Sequence, residues 1–91
     1  MTWVIEAEEA FDSFSRETDP IDDSELRLAV GDCLIAWRSE GPPAEAVYNE
    51  RRQVLECDVP GTPVVVEYIS LPYLDPPVVL VRKLRWERPP N

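Results

Sequence analysis

Histidine is absent from this chain, and cysteine and glycine are scarce, with two and three copies among 91 residues. Without histidine, the chain lacks the usual general base of serine and cysteine nucleophile systems. Cys33 and Cys57 lie far apart and form no Cys-x-x-Cys pair, so we expect two reduced thiols in the core. The sequence therefore predicts no metal site and no cofactor.

Long apolar runs are also missing. None approaches the ~20 residues that a membrane-spanning helix requires, and no signal peptide is recognisable before the domain. These observations favour a cytoplasmic protein without membrane contact. The length fits one small domain, residues 1–91, in which residues 87–91 form a short tail.

Basic side chains are few, and their distribution is uneven. The chain has 9 Lys and Arg residues against 18 Asp and Glu residues, which gives a net charge of −9. Residues 1–40 contain eleven acids and three arginines, so nearly all the excess negative charge lies in this half. Because such a surface repels phosphate backbones, non-specific binding to nucleic acid is disfavoured.

Two apolar stripes with helical spacing predict two helices. The first stripe consists of Ala7, Ala10, Phe11 and Phe14, and the second of Leu26, Val30, Cys33 and Trp37. Asp22, three residues before Glu25, resembles a capping box at the start of the second helix. Gly31 inside that helix suggests close packing, and Gly41 followed by two prolines predicts its end.

Residues 2–5 and the second half of the chain indicate strands. β-Branched and aromatic residues cluster at residues 2–5, at 64–71 and at 78–86. Residues 44–54 fit either a helix or a strand, and we favour a strand that starts near Arg52. Strict alternation in the last strand places Val79, Val81, Lys83 and Arg85 on one face of the sheet.

These elements predict an α+β fold in the order β-α-α-β-β-β. We expect an antiparallel sheet of three to four strands packed against two helices, with residues 3–5 added at its side. The predicted core consists of Val4, Phe11, Phe14, Leu26, Val30, Leu34, Trp37, Leu55, Val65, Tyr68, Val79 and Val81.

Three segments carry a family resemblance. They are "MTWVIEAEEAFDSF", "LRLAVGDCLIAWRSEGPP" and "VVVEYISLPYLDPPVVLVRKLRW". In their order and in the basic, aromatic ending, they resemble the RelE/ParE toxin superfamily of bacterial toxin–antitoxin systems. The resemblance implies a small α+β domain that binds an antitoxin. For the ribonuclease branch it also implies cleavage of mRNA on the ribosome by basic side chains on the sheet.

The resemblance also implies candidate site residues. Arg51 and Arg52 match a basic pair on the second strand of the family's ribonucleases, and Arg82 and Arg85 lie near the C-terminal arginine. Lys83 and Trp86 accompany them, and the candidate partner-binding residues are Arg82, Lys83, Arg85 and Trp86. Arginine effectively never deprotonates, so the proton acceptors that remain are Tyr48, Tyr68, Tyr73 and the carboxylates, and Tyr68 is the candidate site residue among them. The third strand departs from the family pattern, since Glu67 stands where the family has arginines.

Each candidate also has a plainer interpretation. The basic residues at residues 82–85 are charges that balance acids across the sheet, or they contact a partner. Three functions stay open: a toxin-like module that acts by protein binding, an acidic inhibitor that docks on a basic partner, and a ribosome-dependent mRNA endoribonuclease. The expected partner is a protein, either antitoxin-like or basic, and a homodimer also stays open.

Overall fold

The computed structural model describes residues 2–18 and 24–86, so the predicted capping residue Asp22 and the tail 87–91 lie outside the described residues. Two helices and five strands follow in the order β1 (Val4–Glu6), α1 (Glu8–Thr18), α2 (Ser24–Glu40), β2 (Val47–Asn49), β3 (Val54–Asp58), β4 (Val64–Leu71) and β5 (Val78–Trp86). Neither helix is long and apolar enough to cross a membrane.

The strands form one mixed sheet in the order β1-β5-β4-β3-β2. Strands β2 to β5 pair antiparallel with their neighbours, and β1 pairs parallel with β5 at the edge of the sheet. The predicted α+β class is confirmed. The predicted order of elements has four strands, and the ambiguous residues before Arg52 supply the fifth, β2.

Residues 47–58 form a hairpin, so residues 44–58 are not a continuous helix. Strand β2 pairs with β3 through Val47 and Glu56, and the two strands are joined by residues 50–53. Gln53 ends this connection with a positive φ of 57°, and its N–H donates a 2.8 Å hydrogen bond to the carbonyl of Asn49. The turn thus places Arg52 beside the sheet, at the start of β3.

The helices follow the predicted stripes. In α1, Ala10 and Phe14 are buried, and Phe11 is half-buried. Helix α2 ends at Glu40, and Gly41 follows with a φ of +79° and donates to the carbonyl of Trp37. A Cβ on Gly41 would lie 2.8 Å from Nε1 of Trp3, so this position requires glycine both for its backbone and for the space above it.

Both helices pack on one face of the sheet, which we call the covered face. Nine of the twelve predicted core residues are buried, whereas Phe11 and Leu55 are half-buried and Val4 is 38% exposed. The main packed cluster contains Val64, Val66 and Tyr68 of β4. Val65 is also buried, but it lies outside that cluster, on the opposite side of the sheet, which we call the open face.

A β-bulge in β5 corrects the predicted alternation. Glu67 pairs with Lys83 and Tyr68 pairs with Val81, so Arg82 is the extra residue of the bulge. Leu84 is therefore shifted to the same face as Val81, and it is buried there. The prediction that Val81 shares a face with Lys83 and Arg85 was wrong, because it assumed an uninterrupted period of two.

Candidate functional site

A charged network occupies the open face of the sheet. Its centre is Glu67 of β4, which is only 3% exposed. Among the residues that the structure describes, Glu67 is the one charged residue that is buried. Oε2 of Glu67 accepts hydrogen bonds from Nη1 of Arg52 at 2.7 Å and from Nε of Arg85 at 2.6 Å. Two cations therefore compensate one buried carboxylate, which would otherwise be costly to desolvate.

Arg85 joins two carboxylates. Its Nη2 donates to Oε2 of Glu56, while its Nε is bound to Glu67. Glu56 also accepts a 3.0 Å hydrogen bond from Nδ2 of Asn49. The hydrogen bond from Arg85 is the main cause that lowers the pKa of Glu56, and the same bond raises the pKa of Arg85. Two of the three guanidinium nitrogens of Arg85 are thus bound to carboxylates of the protein itself.

Arg52, the second cation of the network, lies in the turn between β2 and β3. The backbone N–H of Arg52 donates to the side-chain oxygen of Asn49 at 3.2 Å, which fixes the turn and directs Arg52 toward Glu67. The Arg52 side chain remains 52% exposed, against 29% for Arg85. Arg51 is exposed in the same turn and belongs to no ion pair of the described network.

The remaining basic and aromatic candidates at the end of β5 point in different directions. Lys83 is exposed on the open face, directly across from Glu67 in the strand register. Arg82 is exposed at the bulge and lines a shallow groove together with Glu6, Glu8 and Glu9. Trp86 packs on the covered face against Phe14, with ring centroids 6.3 Å apart. These residues do not converge on one external ligand.

Tyr68 lies on the covered face, so the sheet separates it from the arginine network. Its side chain is 1% exposed and meets Trp37 edge to face, with ring centroids 5.0 Å apart. Burial raises the pKa of Tyr68 to about 12. A buried phenol with this pKa is poorly suited to accept a proton from a ribose hydroxyl near neutral pH.

A second surface feature is a groove between α2 and the outer end of β3, here called the α2–β3 groove. It has a volume of about 820 Å³ and is bordered by α2, by residues 43–47 and by residues 56–60. Its floor includes Cys33, Trp37 and Cys57. Five carboxylates line it, from Asp32, Glu40, Glu45, Glu56 and Asp58. Arg85 is the one cation among its lining residues, and it is already bound to Glu56 and Glu67.

The two cysteines of the groove are free thiols, and both are half-buried against the core and not inside it as predicted. Burial raises the pKa of Cys33, and it raises the pKa of Cys57 to about 12. Both thiols therefore stay protonated near neutral pH and contribute apolar surface to the floor. Within residues 2–18 and 24–86, no group of three or more Cys, Asp or Glu side chains is arranged to hold a metal ion.

Comparison with family models, with curated proteins and with solved structures finds no match for this chain. Its function is therefore inferred from the geometry of its own residues.

Sequence reasoning identified the arginines of the network but not their partners. It noted Glu67 on the sheet in place of the family's arginines, and it did not single out Glu56 or Asn49. It also missed the α2–β3 groove. The available signal was the segment from Glu56 to Val59, in which acids alternate with apolar residues at the end of a strand.

Proposed function

We propose that this domain acts by binding a basic protein partner and does not cleave RNA. The observation that carries the proposal is the engagement of Arg85 and Arg52 by Glu67 and Glu56. These arginines are the cations that a ribonuclease of the RelE/ParE type would direct at a phosphate, and here they neutralise the protein's own carboxylates.

The energetics of phosphate chemistry support this proposal. A transition state with developing negative charge needs donors that are organised toward it and free to bind it. On this open face, the Glu67 carboxylate lies 2.6 Å and 2.7 Å from the two guanidinium groups. A phosphate would have to displace this carboxylate or bind beside it. The net charge of −9 opposes both the approach and the binding of a polyanion.

The exposed surface supports a protein partner of opposite charge. Exposed large apolar side chains lie beside the carboxylates: Val47 lines the α2–β3 groove, Tyr48 follows it in β2, and Leu28 and Ile35 are 66% and 62% exposed on α2. Apolar side chains surrounded by charge are typical of binding surfaces. The complementary partner carries cations around an apolar contact.

A toxin-like module of a toxin–antitoxin system is the second candidate. The observed order of elements, one strand, two helices and then an antiparallel series of strands, supports this candidate because the resemblance implies the same order. The two proposals are compatible if the basic partner is an antitoxin. They differ in what the free protein does to a growing cell.

In the decisive experiment, the wild type and the Arg82→Ala/Arg85→Ala variant are expressed in a bacterial host. Cell growth is followed, and the ends of mRNA on translating ribosomes are mapped. We expect neither growth arrest nor codon-register cleavage. Because Arg85→Ala also removes a structural ion pair, Arg82→Ala/Lys83→Ala serves as the variant that leaves the network intact. Growth arrest and cleavage by the wild type, lost in both variants, would establish a ribonuclease and overturn the proposal.

A further inference from the structure

The outer end of β3 is an edge with free hydrogen-bonding groups. Strand β2 pairs with β3 only as far as Glu56, while β3 continues to Asp58. The N–H of Val59 donates 2.9 Å inward to the carbonyl of Val64. Because backbone groups alternate sides along a strand, the N–H and C=O of Asp58 face outward. No strand of the described chain covers them, so they are available to an added strand.

The side chains beside this edge are carboxylates on one face of the sheet and apolar groups on the other. Glu56 and Asp58 lie on the open face, whereas Cys57 and Val59 lie on the covered face, next to Cys33 of α2. An extended segment along the edge would present alternate side chains to these two sides. Its side chains on one side would meet carboxylates, and those on the other would meet the apolar floor of the groove.

We propose that the α2–β3 groove binds an extended segment of the partner in which cationic residues alternate with apolar ones. This inference rests on the proposed function and specifies where and in what conformation the partner binds. The apolar side chains contact Cys33 and Cys57, and the cations pair with the carboxylates of the rim. The Asp58 backbone supplies the hydrogen bonds that fix the register, as in strand addition to a sheet edge.

The chemistry of the rim selects this occupant over others. Five carboxylates line the groove and only Glu56 among them is paired with Arg85, so the remaining negative charge repels nucleic acid and acidic peptides. The carboxylates of the described rim also form no cluster of metal-ligand geometry, so a bound metal ion does not explain them. Spread along the groove, they match a series of separate cations better than a single small ion.

The test uses the full chain and a labelled hexapeptide that alternates lysine with valine, and measures the dissociation constant at low ionic strength. The variant Asp32→Asn/Glu40→Gln/Asp58→Asn removes three exposed carboxylates of the groove. The matched control, Glu6→Gln/Glu8→Gln/Glu9→Gln, removes three exposed carboxylates of the other groove. We expect the groove variant to weaken binding about tenfold and the control by less than about threefold.

A second pair of measurements separates the apolar contact from the charge. A hexapeptide that alternates lysine with serine should bind about tenfold more weakly than the lysine–valine peptide. Amide chemical-shift changes should be centred on Cys33, Val47 and Asp58. Equal losses in the two triple variants, equal affinity for the two peptides, or no measurable binding would each overturn the groove proposal. The proposed function is overturned separately, by mRNA cleavage.

Discussion

The two faces of this sheet bury their side chains by different contacts, apolar packing on one face and ion pairs on the other. On the covered face, Val64, Val66 and Tyr68 of β4 are buried in a continuous apolar cluster beneath two helices. On the open face, the same strand buries Glu67, and two arginines compensate it. Adjacent residues of one strand therefore lie in an apolar core and in an ionic network.

The two faces respond differently to substitution. An apolar cluster loses contacts in proportion to the atoms removed, because its interactions are non-directional. An ionic network depends on each partner, because removing one cation leaves a carboxylate buried without compensation. Arg85, at the basic end of β5, is thus part of the fold, and its substitution should act mainly on stability.

The largest expected effect lies on the covered face. Phe14 is fully buried and contacts both Phe11 and Trp86. We expect Phe14→Ala to lower the free energy of unfolding by about 3–5 kcal/mol, because it removes a buried ring and leaves a cavity. Chemical denaturation measures this loss. Ile35→Ala, at a position 62% exposed, is the control and should change stability by less than about 0.5 kcal/mol.

A smaller loss is expected on the open face. Arg85→Met should cost about 2–4 kcal/mol, since Glu56 and Glu67 would lose their shared partner. The expected loss is smaller than for a fully buried pair because Arg85 is 29% exposed and because Arg52 still compensates Glu67. Lys83→Met, an exposed residue of the same strand, should be nearly neutral. Equal effects of the two substitutions would remove the distinction between network and surface cations.

The pH dependence of stability should identify the contribution of Glu56. Its pKa in the folded protein lies below the ordinary value of 4.5, mainly because Arg85 donates a hydrogen bond to it. Its contribution is complete above this ordinary value and is lost as the pH falls toward the lowered pKa. Between neutral pH and acid, the wild type should lose about 1 kcal/mol more than Glu56→Gln. Urea midpoints across this range measure the difference, with the exposed Glu50→Gln as the control.

The smallest effect should be a gain. A Cβ on Gly31 of α2 would lie 4.0 Å from Cε2 of Phe11, which is an ordinary contact, so the suggested close packing at this glycine is not found. Gly31→Ala should therefore raise the free energy of unfolding by about 0.5–1 kcal/mol through helix propensity. Thermal melts should show a higher midpoint. Gly41→Ala should lower the midpoint instead, because its Cβ would clash with Trp3.

The sequence was informative where a pattern continues over many residues. The stripe from Leu26 to Trp37 predicted a helix because the burial of one helix face imposes a helical period, and the β-branched cluster at residues 64–71 predicted strand β4. A single residue that interrupts a periodic pattern was harder to predict. The bulge at Arg82 shifts the face of every later residue, and its local signal was the pair of polar residues between Val81 and Leu84. The short strand β2 depends on pairing with β3, which local periodicity does not show.

The site was predictable only in part, for a related reason. Sequence spacing placed the arginines near the sheet, but which carboxylate they meet depends on register across three strands. Arg85 reaches Glu67 because β4 and β5 pair with the observed shift, and it reaches Glu56 because β3 lies next. The α2–β3 groove depends similarly on where β2 stops pairing with β3.

Arg85 acts as a counter-charge within the fold. A double-mutant cycle of Arg85→Met and Glu67→Met, followed by urea denaturation, is the sharpest test of this role. We predict a favourable coupling energy of about 1.5–3 kcal/mol, with the double variant more stable than Arg85→Met alone. The same cycle between Lys83 and Glu67 should give less than about 0.5 kcal/mol. An Arg85–Glu67 coupling no larger than the Lys83–Glu67 coupling would contradict this role.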